Sequence, residues 1–305
     1  MKILVCVKAV PSSTEVRFDP VTHTIIRDGK QAVINPFDAS ALECAVQIRQ
    51  ARGAEENQDA RESETTQSGP EARVTVLSMG IPDTVRLLRD CLARGADDAL
   101  LLSDRAFAGA DTLATSYSLA CAIRKMGLPD LIICGKMAVD GDTAQIGPEL
   151  AAALDIPAVT GVKQVIDVSE DTVTVLRESD SGDERVTVYR SNDVDRECSA
   201  VLRKNAAVCG GETVKKLRPV LLTVAREAAS PRMPSIAGIR AAKDKNISVY
   251  TAADIGADPE RTGLKGSPTQ VVRTFSPEKK KECVMIGGSV AEQAAAIGRI
   301  LQEEL

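Results

Sequence analysis

Leu131-Ile132-Ile133-Cys134-Gly135-Lys136-Met137-Ala138-Val139-Asp140-Gly141-Asp142-Thr143-Ala144-Gln145-Ile146-Gly147-Pro148 decides how this chain is read. The four apolar residues suit a buried strand, and the glycine-punctuated loop behind them runs into a predicted helix. Glycine lets backbone come close to a ligand, and the unpaired N–H groups at a helix start attract phosphate oxygens. Strand, loop and helix in that order make a nucleotide cradle. The loop follows neither the Walker pattern nor GxGxxG, so on these residues alone an ordinary strand-to-helix turn stays open.

The sequence before this stretch repeats the same order. Residues 2–7 read as a buried strand, and 16–27, polar and alternating, as a hairpin-like excursion closed by Asp28-Gly29. Asn35-Pro36-Phe37-Asp38 precedes a helix, with Asp38 as its N-cap and Leu42, Ala45, Val46 and Arg49 on one face. Residues 55–70 are polar and lack periodicity, the pattern of an exposed, mobile insertion. A strand at 74–79 leads to a helix opened by Pro82 and closed by Gly95, with Val85, Leu88 and Leu92 along it. A third strand at 98–102 precedes a helix capped by Asp111 that reaches Met126. The expected fold class is therefore α/β, a doubly wound parallel sheet with ligands at the carboxyl ends of its strands. Three strand-end loops converge there: 6–11, Met79-Gly80 and 135–148.

After Pro157 the pattern changes. Residues 162–168, 172–177 and 185–189 alternate like an antiparallel extension, 190–216 reads as a second mobile insertion, and 219–224 returns to a buried strand. Beyond it lies an arm with a short helix at 235–245, the stretch Gly263-Leu264-Lys265-Gly266-Ser267-Pro268-Thr269 and a last helix. That helix opens on a capping box, Ser289 with Glu292, and aligns Val290, Ala294, Ile297 and Leu301 on one face. Its own domain or a partner subunit must cover this stripe. The expected division is a nucleotide-binding domain over 1–230 and a C-terminal arm and helix over 231–305.

The totals narrow the chemistry. A net charge of −5 over 305 residues, with no basic run interleaved with aromatics, argues against nucleic acid as a partner. No apolar segment approaches the roughly 20 residues of a membrane span, and residues 1–5 enter a strand at once, so a cytoplasmic protein is expected. The eight cysteines never form CxxC, which leaves metal and iron–sulfur ligation without support. With His23 as the single histidine, a Ser/His or Cys/His relay has almost no candidates. Any chemistry must come from a cofactor.

Taken together, Ile3-Leu4-Val5-Cys6-Val7-Lys8-Ala9-Val10-Pro11, Asn35-Pro36-Phe37, the loop 135–147 and the arm 223–247 resemble the beta subunit of electron transfer flavoproteins, over nearly the whole chain. Two stretches depart from the family. Its Arg-Glu-x-Asp-Gly-Gly hairpin is here Arg177-Glu178-Ser179-Asp180-Ser181-Gly182, and the connection from there to Pro219 is longer. The resemblance implies an alpha-subunit partner that carries its own FAD, and an adenine nucleotide held by this chain. The contacts it implies are Cys6, Asn35, Pro36, Phe37, Asp38, Met79 and every residue from Gly135 through Ile146. Phe37 can pack on a base or flavin, Asp140 or Asp142 can accept ribose hydroxyls, and the N–H groups of 143–146 can face phosphate. Lys8 and Lys136 are either phosphate counter-charges or solvated strand-end lysines.

Relatives that keep a structural AMP have a loop resembling three consecutive acids, where this chain has Asp140-Gly141-Asp142. A carboxylate ~4 Å from a pyrophosphate costs on the order of several kcal/mol, so Gly141 makes room for a dinucleotide. The loop and the 263–269 stretch resemble the flavin-bifurcating subgroup. That likeness implies a second FAD in this subunit, NADH as transient electron donor, an acyl-CoA-type dehydrogenase as client, and ferredoxin or flavodoxin as acceptor. NADH oxidation would then belong to the heterodimer. AMP in a non-bifurcating beta subunit is the alternative, and a stand-alone adenine-nucleotide sensor a more distant one. Ile236 stands where the family inserts an aliphatic anchor into its client. Regulation through a lysine-rich run is not expected, because that run is here Arg240-Ala241-Ala242-Lys243-Asp244-Lys245.

Overall fold

The computed structural model describes residues 1–12, 32–62, 72–190, 219–270, 272 and 285–303. The 16–29 excursion, residues 63–70 of the first expected insertion and 191–216 of the second lie outside the described residues.

The chain begins with β1 (Lys2–Cys6), then the short β2 (Ala9–Pro11) and β3 (Ala32–Ile34), which pair antiparallel. Next come α1 (Pro36–Glu62), β4 (Arg73–Met79), α2 (Val85–Ala93), β5 (Asp98–Leu102), α3 (Thr112–Met126), β6 (Leu131–Gly135) and α4 (Ile146–Leu154). A meander of β7 (Ala158–Val168), β8 (Thr172–Ser179) and β9 (Gly182–Tyr189) follows. Beyond it are β10 (Val220–Val224), α5 (Ile236–Asp244) and β11 (Ser248–Tyr250). Among the described residues, nine strands form one sheet in the order β11-β5-β4-β1-β6-β10-β7-β8-β9. It is parallel from β11 to β7 and antiparallel across β7, β8 and β9.

The apolar runs explain which strands are central. In β1, Ile3 and Val5 face one layer and Leu4 and Cys6 the other, so both faces must be covered. Leu42, Ala45 and Val46 of α1 and Leu88 and Leu92 of α2 cover the first face. Leu119, Ala120 and Ile123 of α3 and Leu150 and Leu154 of α4 cover the second. β7 records the change in surroundings along its own length. Val159, Gly161 and Val162 are buried where it runs beside β10, and from Lys163 onward no residue is. β8 buries Val173, Thr174 and Val175 in a row, and β9, at the sheet edge, buries only Val186.

Three local expectations change. Helix α1 starts at Pro36, so Asp38 lies in its first turn and does not cap it. Proline at a first helical position has no N–H to leave unpaired, and the carbonyl of Asn35 accepts from Asp38 and Ala39 (3.0 and 2.9 Å). The same helix continues to Glu62, so 55–62 is helical and not part of an irregular insertion. Arg190, placed in the second insertion, is instead buried and its guanidinium binds Asp130 (3.0 Å). Asp111 and Gly95 behave as read: the Asp111 carboxylate accepts from the N–H of Ala114, and Gly95, at φ +121°, follows the last turn of α2.

Met1–Gln270 forms one compact unit and Val271–Leu305 another. The second contains α6 (Val290–Glu303), where the Glu292 carboxylate accepts from the N–H and hydroxyl of Ser289 (2.7 and 2.8 Å), one half of the expected capping box.

Strand order locates the site. The chain winds outward from β1 through β4 to β5, then returns to lay β6 on the opposite side of β1. A doubly wound sheet opens a crevice at such a reversal, outside the carboxyl ends of the two strands. The turn after β1 and the loop after β6 border it.

Candidate functional site

β6 ends on Gly135 because the first turn of α1 sits on it. A Cβ there would lie 2.3 Å from Asp38 Oδ1, 2.7 Å from Phe37 Cβ and 2.9 Å from the Asp38 nitrogen. Gly147 meets the same kind of constraint, with Thr223 Cγ2 of β10 only 2.3 Å from its missing Cβ. Gly141 differs from both. Its side is open, with Lys8 Nζ the nearest atom at 3.8 Å. Among the described residues nothing demands glycine at 141, so its small size leaves space for something else.

Asn35, 1% exposed, holds the loop like a bracket. Its Nδ2 donates to the carbonyl of Met137 (2.8 Å) and its Oδ1 accepts from the N–H of Val139 (3.3 Å). The backbone N–H of Asn35 donates to the carbonyl of Lys8 (2.9 Å), which joins the β1 turn to the same bracket. The Lys8 ammonium pairs with Asp140 (2.6 Å), and the Lys136 ammonium pairs with Glu178 of β8. Neither lysine is merely solvated; each spans two segments. With Asp140 engaged by Lys8, the exposed Asp142 is the freer carboxylate for a hydroxyl donor.

Between these brackets the backbone takes an uncommon path. Asp142 and Ala144 have φ of +53° and +54°, a region that non-glycine residues visit rarely and that clusters at ligand sites. Gln145 returns to right-handed geometry, and α4 begins at Ile146. A left-handed residue followed by a right-handed one turns successive N–H groups toward one side, an anion-seeking nest. Among the described residues, the N–H groups of Thr143, Ala144, Gln145 and Ile146 have no backbone acceptor. They stand at the N-terminus of α4, where the helix dipole adds positive potential.

Asp38 lies beneath the loop, buried, and accepts from the backbone N–H of Lys8 (2.7 Å). Burial pushes its carboxyl up to about 7, even though hydrogen bonds from Asn35, Lys8 and Gly135 and the charge of Lys8 act to lower it. Cys6 and Cys134 are partners in register on β1 and β6. A hydrogen bond to Cys6, with burial, holds the Cys134 thiol well above its usual value. Met79 is half-buried at the end of β4. The structure therefore places Cys6, residues 35–38, Met79 and 135–146 along the carboxyl ends of β1, β4 and β6.

Sequence reasoning missed Glu178 and Thr223, which support the loop from β8 and β10. Nothing local marks them; their roles follow from strand neighbours. Ile236 is 73% exposed at the start of α5, which Ser235 caps by accepting from the N–H of Gly238 (2.9 Å). Met233, 81% exposed, and Ile239, 43% exposed, flank it and widen the apolar patch beyond the single residue expected.

Fold and loop together define a doubly wound α/β protein with an anion-seeking backbone at its topological switch point. Comparison with known proteins refines that class. The electron transfer flavoprotein domain matches residues 59–194. The caffeyl-CoA reductase-Etf complex subunit CarD of Acetobacterium woodii is 40% identical over 295 residues, covering 97% of this chain and 95% of that protein. The electron transfer flavoprotein subunit beta of Clostridium acetobutylicum is 40% identical over 304 residues, 100% of this chain and 99% of the relative. Protein FixA of Azorhizobium caulinodans is 36% identical over 290 residues, with 92% and 86% covered. The chain belongs to the electron transfer flavoprotein beta-subunit family.

Proposed function

We propose that this chain binds the adenosine and pyrophosphate of an FAD in the loop after β6, and works with an FAD-containing alpha subunit as a flavin-bifurcating electron transfer flavoprotein. The observation that carries the reading is the run of N–H groups at 143–146 without backbone acceptors among the described residues, beside the open Gly141. Anionic oxygens suit those amides, Asp142 suits a ribose hydroxyl, and Phe37 suits an aromatic ring. Bound there, FAD would supply two-electron acceptance from NADH and one-electron release to two acceptors. The chain's own residues bind and orient it, and Asp38 holds a proton close to neutrality at the base of the cradle.

The acceptors in this reading are ferredoxin or flavodoxin on one side and an acyl-CoA-type dehydrogenase on the other. The name of the A. woodii relative, a subunit of a caffeyl-CoA reductase-Etf complex, supports a client that acts on CoA esters. In this reading the expected boundary at 230 moves, since α5 and β11 belong to the Met1–Gln270 unit, and Ile236 and its neighbours make the contact with the client. A cytoplasmic location belongs to the same reading, and no helix among the described residues is long and apolar enough to cross a membrane.

Cofactor extraction from the co-expressed heterodimer tests the proposal. Two FAD per heterodimer are expected. One FAD with one AMP would replace bifurcation by a structural mononucleotide, and an empty beta subunit would end the cradle reading. Ile236→Ala is expected to raise the KM for the client dehydrogenase about tenfold, the effect of losing one apolar hot spot, with flavin content unchanged. An unaltered KM removes Ile236 from the docking surface.

A further inference from the structure

Helix α1 grips the segment that carries the exposed patch. Ser40, fully buried in the second turn, places its hydroxyl between the carbonyls of Arg226 and Ala229 (2.5 and 2.8 Å), which share its single proton. One turn further, the buried Glu43 carboxylate accepts from the N–H of Arg232 (3.2 Å), its Nε (2.7 Å) and its Nη2 (2.8 Å). Gln47 donates to the same carboxylate (2.9 Å), and Arg232 Nη2 also reaches Gln50 (3.1 Å). From the residue that follows α2, Arg94 donates to the carbonyl of Arg232 (3.1 Å). Burial alone would raise the Glu43 carboxyl, yet the bonds from Arg232 and Gln47 outweigh it and hold it below its ordinary value. Glu43 is thus ionised and fully engaged.

A two-nitrogen fork on a carboxylate fixes direction as well as distance. Ion pairs of this kind add little net stability for their desolvation cost, and they are informative chiefly about placement. What this one places is the residue directly before Met233, the most exposed member of the patch with Ile236 and Ile239. The other load on α1 is its first turn, where Phe37 and Asp38 sit on Gly135 at the base of the loop. One helix holds both.

We propose that Glu43 is a positioning residue that sets the patch of Met233, Ile236 and Ile239 on α1, and that α1 thereby links occupancy of the cradle to the order of that patch. The linkage rests on the nucleotide reading given above; the positioning does not. A ligand that braces the first turn of α1 steadies the helix to which Ser40 and Glu43 belong, and coupling of this sort is reciprocal.

Hydrogen exchange on peptides covering 226–242 of the co-expressed heterodimer tests both parts. In the wild type, stripping the nucleotide is expected to speed exchange there about tenfold, and re-adding FAD to reverse it. Glu43→Gln, which keeps the shape and loses the charge, is expected to exchange fast whether or not FAD is present, with flavin content retained. Glu43→Asp should recover part of the protection. If Glu43→Gln exchanges like the wild type, the positioning role is wrong. If the wild type retains nucleotide yet shows equal exchange with and without it, the linkage is wrong. If no nucleotide is found at all, the cradle reading and the linkage fail together, and Glu43→Gln against wild type still decides the positioning.

Discussion

Helix α1 supports two regions built by different means. The loop after β6 is shaped by backbone: a missing Cβ at Gly135, left-handed residues at 142 and 144, and amides at 143–146. The linker from β10 to α5 is shaped by side chains, with Ser40, Glu43 and Arg232 making its defining bonds. A backbone-built site is sensitive to added atoms and tolerant of most truncations. A side-chain-built site fails when an atom or a charge is removed.

Asp38 joins both modes, a buried side chain bonded to backbone amides, and the largest effect is expected there. Its folded pKa is raised from 3.8 to about 7, so its stabilising balance is complete below pH 4 and is lost as pH rises through 7. Ionising in the unfolded chain but not in the folded one costs roughly 4 kcal/mol across that window. Denaturant midpoints measured from pH 4 to pH 8 should show this slope in the wild type and its absence in Asp38→Asn. Equal slopes in the two proteins would assign the pH dependence to other groups.

The next effect is steric. Gly135→Ala forces the first turn of α1 off β6 and is expected to cost about 1–3 kcal/mol with loss of bound nucleotide. The smallest effect sharpens the contrast: among the described residues Gly141→Ala meets only Lys8 Nζ at 3.8 Å, so its stability should change by less than about 0.5 kcal/mol. Nucleotide retention should nonetheless fall for Gly141→Asp, read from the absorbance of the purified heterodimer. Equal stability losses at 135 and 141 would break the distinction between a glycine required by the fold and one required by a ligand.

Most of the parallel sheet was legible because its strands are buried on both faces and therefore carry uninterrupted apolar runs, as in Ile3-Leu4-Val5 and Leu131-Ile132-Ile133. The cap at Asp111 was legible for a local reason, since it needs only an acceptor placed before a helix. β11 was not. Its three residues, Ser248, Val249 and Tyr250, form a strand only because β5 presents a free edge to pair with. The Asp38 assignment failed through competition: Asn35 and Pro36 already start the helix, and Asp38 is drawn inward to the amide of Lys8. The loop was legible as a glycine pattern, whereas its supports Glu178 and Thr223 were not.

By itself the sequence determined the α/β order, the strand–loop–helix at 131–148 and the membership in a family, because periodicity, glycine placement and residue identity are properties of short stretches. Only the tertiary structure decided which charges meet. Lys8 finds Asp140 across 132 residues and Arg232 finds Glu43 across 189, and both pairings depend on how the sheet reverses about β1. Such partners are set by crossovers that no local pattern encodes, since a side chain's reach is a few ångströms and its neighbours are chosen by the path of the whole backbone.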